Sequence, residues 1–286
     1  MSRFFELRRE LIDRFAAAGI ESAGVEADIL VSELAGLDRT ELFLRSDTEV
    51  PAELERKIRE LGRRRANREP LQYLLGYAYF MNIRVDVSSE VLIPRPETEC
   101  LVEWAMERVP ENGSVLDLGT GSGAIALALA YERPDAVITA VDISPGALAI
   151  ALHNAEKLDL TRVRFLESDL FAALEGETFD LIAANLPYVT DEEYAELEPE
   201  VRIHEPRLAL TAPDSGFALI SRAAEEAPRH LNPGGDVIFE LSPAQVPRLA
   251  TQLARSGVFE EITSKQDYTR RERFVTARRK HRGTVR

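Results

Sequence analysis

A buried strand, a glycine-rich loop and a helix follow one another in the stretch Val115-Leu116-Asp117-Leu118-Gly119-Thr120-Gly121-Ser122-Gly123-Ala124-Ile125-Ala126-Leu127-Ala128. Glycines let the backbone turn sharply and approach a ligand without a Cβ in the way. Nineteen residues after Gly123, Asp142 ends the next predicted strand, where it is placed to accept hydrogen bonds from ribose hydroxyls. Asp169 is predicted to end the following strand, within reach of an adenine amino group. The stretch therefore predicts a nucleotide-like cofactor, held by Gly119, Thr120, Gly121, Ser122, Gly123, Asp142 and Asp169.

Strands and helices alternate from Ser114 onward, which predicts an α/β fold with a largely parallel sheet and helices on both faces. Two strand-like segments near the end of the chain are predicted to form an antiparallel pair at one edge. The predicted strands are Val115–Leu118, Val137–Val141, Val163–Glu167, Leu181–Ala184, Val237–Leu241, Phe259–Thr263 and Arg273–Ala277.

The tetrapeptide Asn185-Leu186-Pro187-Tyr188 directly follows the apolar run of a buried strand. Pro187 cannot donate to a sheet ladder, so the strand must end here, at the edge where open α/β sheets bind ligands. The Asn185 side-chain oxygen and the Leu186 carbonyl can each accept a hydrogen bond from a planar NH2 group, and Tyr188 offers a ring on which a flat amide can stack. The alternative is an ordinary Asn-Pro turn with no function.

The glycine loop alone leaves the cofactor open. Gly119, Gly121 and Ala124 also fit the dinucleotide fingerprint, which indicates a nicotinamide-dependent oxidoreductase, or the glycines simply pack a helix on a strand. A nicotinamide site needs a proton relay, and neither a histidine nor a lysine is apparent at the strand ends. A site rich in carboxylates and carbonyls instead matches the positive sulfonium of S-adenosylmethionine.

Residues 1–72 read as a small all-helical domain, and residues 73–93 as a linking β-hairpin with its turn at Met81-Asn82. Pro96 suits the first turn of the next helix, so the α/β domain is predicted to cover residues 94–286. Arg63-Arg64-Arg65 and Arg68 end the last helix of the small domain. Helix dipoles favour cations there, so we expect a solvated face, with an acidic partner as the alternative.

The composition excludes several function classes. The chain has 286 residues and a net charge of −14, which argues against direct binding of duplex DNA. Only the end is basic: nine Lys/Arg and two acidic residues between Ser264 and Arg286 predict a frayed terminus, or contact with RNA or an acidic partner. We expect a cytoplasmic protein, because a secretory signal and a membrane-spanning run are not found in the sequence.

The lone cysteine and the four histidines give no metal-ligand spacing, so no metal site is predicted. Cys100 lies in an amphipathic helical pattern. It is therefore expected to be a small buried hydrophobe.

The α/β part resembles class I (Rossmann-like) methyltransferases that use S-adenosylmethionine, and the tetrapeptide resembles the Asn-Pro-Pro-Tyr motif of enzymes that methylate planar nitrogens. The whole chain is similar to the HemK/PrmC family of release factor glutamine methyltransferases. Leu186 replaces the first proline of the family motif, and Leu170 replaces an aromatic residue that some members have near the adenine. The residues that carry the resemblance are Arg68-Glu69-Pro70, Tyr73, Gly76, Leu92–Glu99, Gly119–Gly123, Asn185–Tyr188, Glu205-Pro206, Ala209-Leu210, Pro233-Gly234-Gly235, Glu240 and Gln245.

This resemblance implies methyl transfer to the glutamine amide of the Gly-Gly-Gln motif in peptide chain release factors. Separately from the resemblance, we expect a monomer. Asn185 and Tyr188 are then the expected catalytic residues, and Asn185, Leu186, Pro187 and Tyr188 the substrate site. Leu170 and Asn185 join the cofactor site, and the helical domain would dock the release factor. Alternatives are a glutamine methyltransferase of a ribosomal protein, a nucleic-acid amino-methyltransferase and the oxidoreductase.

Overall fold

The structure is a computed structural model that describes residues 2–281. Residues 282–286, which include the end of the predicted basic tail, lie outside the described residues, as does Met1. The chain divides into two compact units. The smaller unit comprises the residues up to Tyr77 together with Glu198–His204, and the larger comprises Ala78–Leu197 and the residues from Glu205 onward.

The smaller unit is the predicted helical bundle. Its core is formed by apolar side chains that recur at helical spacing, such as Leu7, Leu11 and Phe15. Asp38 caps the third helix, because its carboxylate accepts a hydrogen bond of 2.7 Å from the Glu41 amide. One short helix after residue 70 was not predicted. The helices are α1 (Phe4–Ala17), α2 (Ala23–Ala35), α3 (Arg39–Leu44), α4 (Ala52–Ala66) and α5 (Leu71–Leu75).

The prediction of a solvated arginine face at the end of α4 is wrong for Arg65. Its side chain is only 5% exposed and forms ion pairs with Glu26 and, at 2.8 Å, with Glu200. Arg63, two residues earlier, is exposed as expected. A buried guanidinium needs such partners, since removing its charge from water is costly. Arg65 therefore joins the Glu198–His204 segment to the helical bundle.

The larger unit contains both strands of the predicted hairpin except for Tyr77, and a seven-stranded sheet with the order β5-β4-β3-β6-β7-β9-β8. Strands β3 to β7 are parallel, and β9 pairs antiparallel with both β7 and β8. The predicted antiparallel pair at one edge is thus confirmed. The strands are β1 (Tyr77–Phe80), β2 (Ile83–Asp86), β3 (Ser114–Leu118), β4 (Val137–Asp142), β5 (Arg164–Glu167), β6 (Phe179–Asn185), β7 (Leu231–Glu240), β8 (Phe259–Gln266) and β9 (Glu272–Arg279).

The crossovers leave β3 in one direction along the sheet and β6 in the other. Because such crossovers are right-handed, their helices cover opposite faces, and a crevice opens where the carboxyl ends of β3 and β6 meet. Apolar side chains such as Leu116 and Ile182 fill the core at this point. The helices are α6 (Pro96–Arg108), α7 (Ala124–Glu132), α8 (Pro145–Lys157), α9 (Asp191–Glu196), the one-turn α10 (Pro213–Gly216), α11 (Ala218–His230) and α12 (Val246–Ser256).

The expectation of a frayed basic end is wrong for the residues that β9 contains. Arg273 and Arg278 extend from a strand inside the sheet and pair with Asp267 and Asp236, at 3.4 Å and 3.2 Å. Their positive charges are therefore paired with carboxylates of the folded protein. Within residues 2–281, the longest apolar helical segments fall short of what a bilayer crossing requires.

Candidate active site

The glycine loop runs from the end of β3 into α7, as the sequence predicts. Gly119 and Gly121 have φ values of +75° and +56°, in the left-handed region that favours glycine. The amides of Gly119 and Thr120 donate to the Val141 carbonyl at 2.9 and 3.0 Å, and the Gly121 amide donates to Asp142 at 2.8 Å. These bonds hold the loop against the end of β4.

Asp142 is the last residue of β4 and accepts hydrogen bonds from two sides. Besides the Gly121 amide, the Ser144 amide donates to it at 2.9 Å, and the Ser144 side chain caps α8. Burial raises the pKa of the Asp142 carboxyl, and the backbone hydrogen bonds oppose that shift. The carboxylate is therefore fixed at the sheet edge.

Strand β6 ends at Asn185, so Pro187 stops the strand where the sequence placed its end. The Asn185 Nδ2 donates to the hydroxyl of Thr98 at 3.1 Å. Leu186 is 4% exposed, and its Cδ2 would lie 3.0 Å from a Cβ at Gly119. The tetrapeptide and the glycine loop therefore touch each other.

A cavity of about 440 Å³ lies where these elements meet, a volume typical of small-molecule sites. Most of the residues that line the cavity were not predicted as site residues. Among them are Glu90, Val91 and Leu92, although Leu92 opens the Leu-Ile-Pro-Arg-Pro-Glu-Thr stretch that carried the resemblance, and also Pro206 and Leu208. The lining residues that the sequence predicted are Gly119, Gly121, Asp142, Asp169, Leu170, Asn185, Leu186 and Pro187.

Three predicted cofactor residues do not line this cavity. The Thr120 hydroxyl donates to Asp117 at 2.7 Å, and the Ser122 carbonyl accepts from Asn154 at 2.9 Å. Gly123 precedes α7, and a Cβ there would lie 3.2 Å from the Ala151 side chain. In this structure the three residues shape the loop from within.

Tyr188 does not line the cavity either, although it directly follows Pro187, which does. Its ring is partly buried against the sheet core, and its hydroxyl accepts a hydrogen bond of 3.3 Å from Arg273 and lies 3.5 Å from Glu240. Burial and the Glu240 carboxylate raise the pKa of Tyr188 to about 12. Gly216, at φ +73°, leaves room for the Tyr188 carbonyl, since a Cβ would approach that oxygen to 2.0 Å.

The predicted end of the third strand at Glu167 is confirmed, so the expectation that Asp169 itself ends that strand is wrong. Strand β5 ends at Glu167, the register partner of Asp142, and the Ser168 hydroxyl then donates to the Leu170 carbonyl at 2.7 Å, which turns the chain away from the sheet. Asp169 is exposed at the cavity and pairs with Arg222. Leu170 is buried beside it.

Cys100 on α6 is half-buried and not a fully buried hydrophobe as expected. Burial raises the pKa of its thiol, which therefore stays protonated.

Family models match both parts of the chain. A model described as the PrmC N-terminal domain matches residues 6–76, and a model described as a methyltransferase domain matches residues 110–277. The crystal structure of a methyltransferase from Pyrococcus furiosus has the same fold, with a TM-score of 0.53 at 18% identity over 70% of this chain and 90% of that one.

The sheet order, the glycine loop and the methyltransferase model define the class: this is a Rossmann-like methyltransferase that uses S-adenosylmethionine. It is 41% identical to the release factor glutamine methyltransferase of Geobacter sulfurreducens over 92% of both chains. Identity to the Deinococcus radiodurans enzyme of the same name is also 41%, over 96% of this chain and 98% of that protein. The chain therefore belongs to the release factor glutamine methyltransferase family. This membership excludes the nicotinamide-dependent oxidoreductase.

Proposed function

We propose that this enzyme methylates the side-chain amide nitrogen of the glutamine in the Gly-Gly-Gln motif of peptide chain release factors. The proposal rests on the orientation of the Asn185 side chain. Its Nδ2 donates a hydrogen bond to Thr98, so its oxygen faces away from that bond at the edge of the cavity. Among residues 2–281, no hydrogen-bond donor is found for this oxygen. It is available to a planar NH2 group.

The cavity residues fit S-adenosylmethionine. Gly121 presents bare backbone, since a Cβ there would meet open space, and the Asp142 carboxylate lines the same wall. We propose that Gly119, Gly121, Asp142, Asp169, Leu170 and Asn185 contact the cofactor, and that Thr120, Ser122 and Gly123 act indirectly by shaping the loop. When bound, S-adenosylmethionine supplies an electrophilic methyl group on a positively charged sulfur. Carboxylates and carbonyls around the cavity favour that charge.

Two acceptors on this chain would position the substrate. An amide nitrogen is a poor nucleophile because its lone pair is delocalised. The Asn185 oxygen and the Leu186 carbonyl would accept its two N–H bonds, orient the lone pair and stabilise the positive charge that develops on nitrogen. The methylated nitrogen is acidic enough to lose its proton afterwards, so no general base is required before attack.

Pro187 and Tyr188 complete the proposed substrate site. Pro187 restricts Leu186 to extended geometry, which fixes the direction of the Leu186 carbonyl. Tyr188 is the proposed aromatic surface for the flat amide. Its hydroxyl contacts to Arg273 and Glu240 support a ring held in one orientation.

We propose that residues 1–72 dock the folded release factor, that residues 73–93 link the domains and that residues 94–286 carry the chemistry. The match of the PrmC N-terminal model to residues 6–76 supports the extent of the first of these domains. A short Gly-Gly-Gln peptide should then be methylated far more slowly than an intact release factor. Equal rates would remove the docking role.

The proposed enzyme is a cytoplasmic monomer without direct contact to DNA. The net charge of −14 supports the last point, since phosphate contacts need a basic surface.

Incubation with labelled S-adenosylmethionine tests the proposed function. Purified release factor and purified ribosomal proteins are offered separately, and the modified residue is mapped by mass spectrometry. We expect label on the glutamine of the Gly-Gly-Gln motif. Label on a ribosomal protein with none on the release factor would overturn the substrate assignment.

A further inference from the structure

Glu240, the last residue of β7, is a buried carboxylate beside the tetrapeptide that the proposed methyl transfer does not use. It is the register partner of Asn185 in the parallel pairing of β6 with β7, and it is 2% exposed. The Thr98 hydroxyl donates a hydrogen bond to the Glu240 carboxylate, and the Tyr188 hydroxyl lies 3.5 Å from the same carboxylate. Within the described part of the chain, Oε2 has no hydrogen-bond partner.

Two short hydrogen-bond chains converge on this carboxylate. In the first, Asn185 Nδ2 donates to Thr98 Oγ1 at 3.1 Å, and the single hydroxyl hydrogen of Thr98 goes to Glu240. In the second, Arg273 donates to the Tyr188 hydroxyl at 3.3 Å, which leaves the phenolic hydrogen for Glu240. An ionised carboxylate only accepts hydrogen bonds, so it takes the hydroxyl hydrogens of Thr98 and Tyr188 and leaves the Thr98 oxygen to accept from Asn185.

We propose that Glu240 is a positioning residue: acting through Thr98, its carboxylate fixes the Asn185 amide with the oxygen toward the substrate, and it holds the Tyr188 hydroxyl directly. This role rests on the proposed function, in which the Asn185 oxygen accepts a hydrogen bond from the glutamine amide. Thr98 is 4% exposed on the first turn of α6, so its hydroxyl is shielded from bulk solvent.

Protonation would reverse the first chain. A neutral Glu240 can donate to Thr98, whose hydrogen then points to Asn185. The Asn185 oxygen turns to accept it, and the NH2 group turns toward the cavity. An NH2 group cannot accept a hydrogen bond from the substrate amide, so this orientation is inactive.

The surroundings of Glu240 place this reversal near neutral pH. Burial raises the pKa of its carboxyl to about 7, the hydrogen bond from Thr98 and the charge of Arg273 on β9 oppose the shift, and Glu97 on α6 adds to it. The Tyr188 hydroxyl also faces the group and favours the ionised form. Activity is then present above this pKa and lost as the pH falls through it.

Single-turnover methylation of a release factor, followed across the neutral pH range, tests the proposal. The wild-type rate constant should rise with a midpoint near 7. Glu240→Gln should be about tenfold slower at high pH and lack this dependence, while its affinity for S-adenosylmethionine is unchanged. Thr98→Val should likewise be slower at high pH and lack the pH dependence. Thr98→Ser, which keeps the hydroxyl, should show the wild-type profile.

Asp236→Asn is the matched control, because Asp236 is another buried carboxylate on β7 and pairs with Arg278 instead. This variant should keep the wild-type pH profile. If Glu240→Gln also keeps the wild-type rate and profile, the positioning role is wrong.

A second readout needs no substrate. The side-chain amide resonance of Asn185 in the 15N NMR spectrum, assigned by its loss in Asn185→Ala, should shift with the Glu240 titration in wild type and stay constant in Glu240→Gln. A shift in a protein that methylates no release factor would sustain the positioning role and reject the proposed function. Methylation without any such shift would reject the positioning role alone.

Discussion

Leu186 packs against Gly119, so that its Cδ2 would lie 3.0 Å from a Cβ at that glycine. Leu186 belongs to the tetrapeptide at the end of β6, and Gly119 begins the loop that follows β3. Their contact joins the proposed substrate acceptors to the proposed cofactor loop. A substitution at either residue should therefore shift the position of the other.

Gly119→Ala should weaken the binding of S-adenosylmethionine about tenfold or more, because the new methyl group displaces Leu186 and the loop. Calorimetric titration measures this affinity. Gly176→Ala is the matched control, since Gly176 has a similar φ of +77° but its Cβ would meet open space. Both variants carry left-handed strain of about 1–2 kcal/mol, so only the affinity distinguishes them. Equal affinities would show that the contact is unimportant.

Gly216→Ala should destabilise the protein by about 2–4 kcal/mol and reduce methylation, because its Cβ would approach the Tyr188 carbonyl to 2.0 Å. The tetrapeptide backbone would have to move. Gly257→Ala shares the left-handed strain, at φ +69°, without a neighbour within 4 Å, and should cost only about 1–2 kcal/mol. Thermal unfolding and single-turnover rates measure the two effects. An active, fully stable Gly216→Ala variant would contradict the inference that the Tyr188 carbonyl leaves no room for a side chain at residue 216.

The sequence predicted the parts of this fold that local patterns determine. Strands β3, β4 and β6 are apolar runs bounded by glycine, acidic residues or proline, so their carboxyl ends were placed within one residue. Strand β7 begins at Leu231, six residues before the predicted start, because Pro233-Gly234-Gly235 has the composition of a turn. The short helix α5 was hidden by the aromatic residues that follow it.

Contacts between distant residues could not be predicted in the same way. Asn185 and Thr98 are 87 positions apart, and Arg65 and Glu200 are 135 apart. Both contacts depend on how the chain returns on itself, which no local pattern encodes. The tetrapeptide was predicted as a site, but the group that orients its amide was not.

Arg65→Met should destabilise the smaller unit by about 3–5 kcal/mol, because it leaves the Glu26 carboxylate without its ion-pair partner and leaves Glu200 with Arg68 alone. Arg63→Met makes the same substitution at an exposed position two residues away and should change the stability by less than about 0.5 kcal/mol. Urea unfolding of both variants measures the difference. Equal losses would mean that the Arg65 ion pairs do not stabilise the bundle.

The same cluster predicts a loss of stability in acid. Burial raises the pKa of Glu200, but hydrogen bonds from Arg68 and Arg65 outweigh it and hold the pKa below its ordinary value of 4.5. A lowered pKa stabilises the folded state above the unfolded value, and this contribution disappears as the pH falls from 4.5 through the folded pKa. Glu200→Gln should unfold with a weaker dependence on pH in this window. If Glu200→Gln and the wild type lost stability equally as the pH falls, the Glu200 contacts would not be the source of this acid dependence.

Asn185→Ala tests the central claim most directly, by single-turnover methylation of a release factor together with the affinity for S-adenosylmethionine. Removing the acceptor should lower the rate constant about 10²-fold or more and change the affinity for the cofactor far less, because the oxygen acts on the substrate amide. Near-normal turnover in this variant would contradict the proposed mechanism.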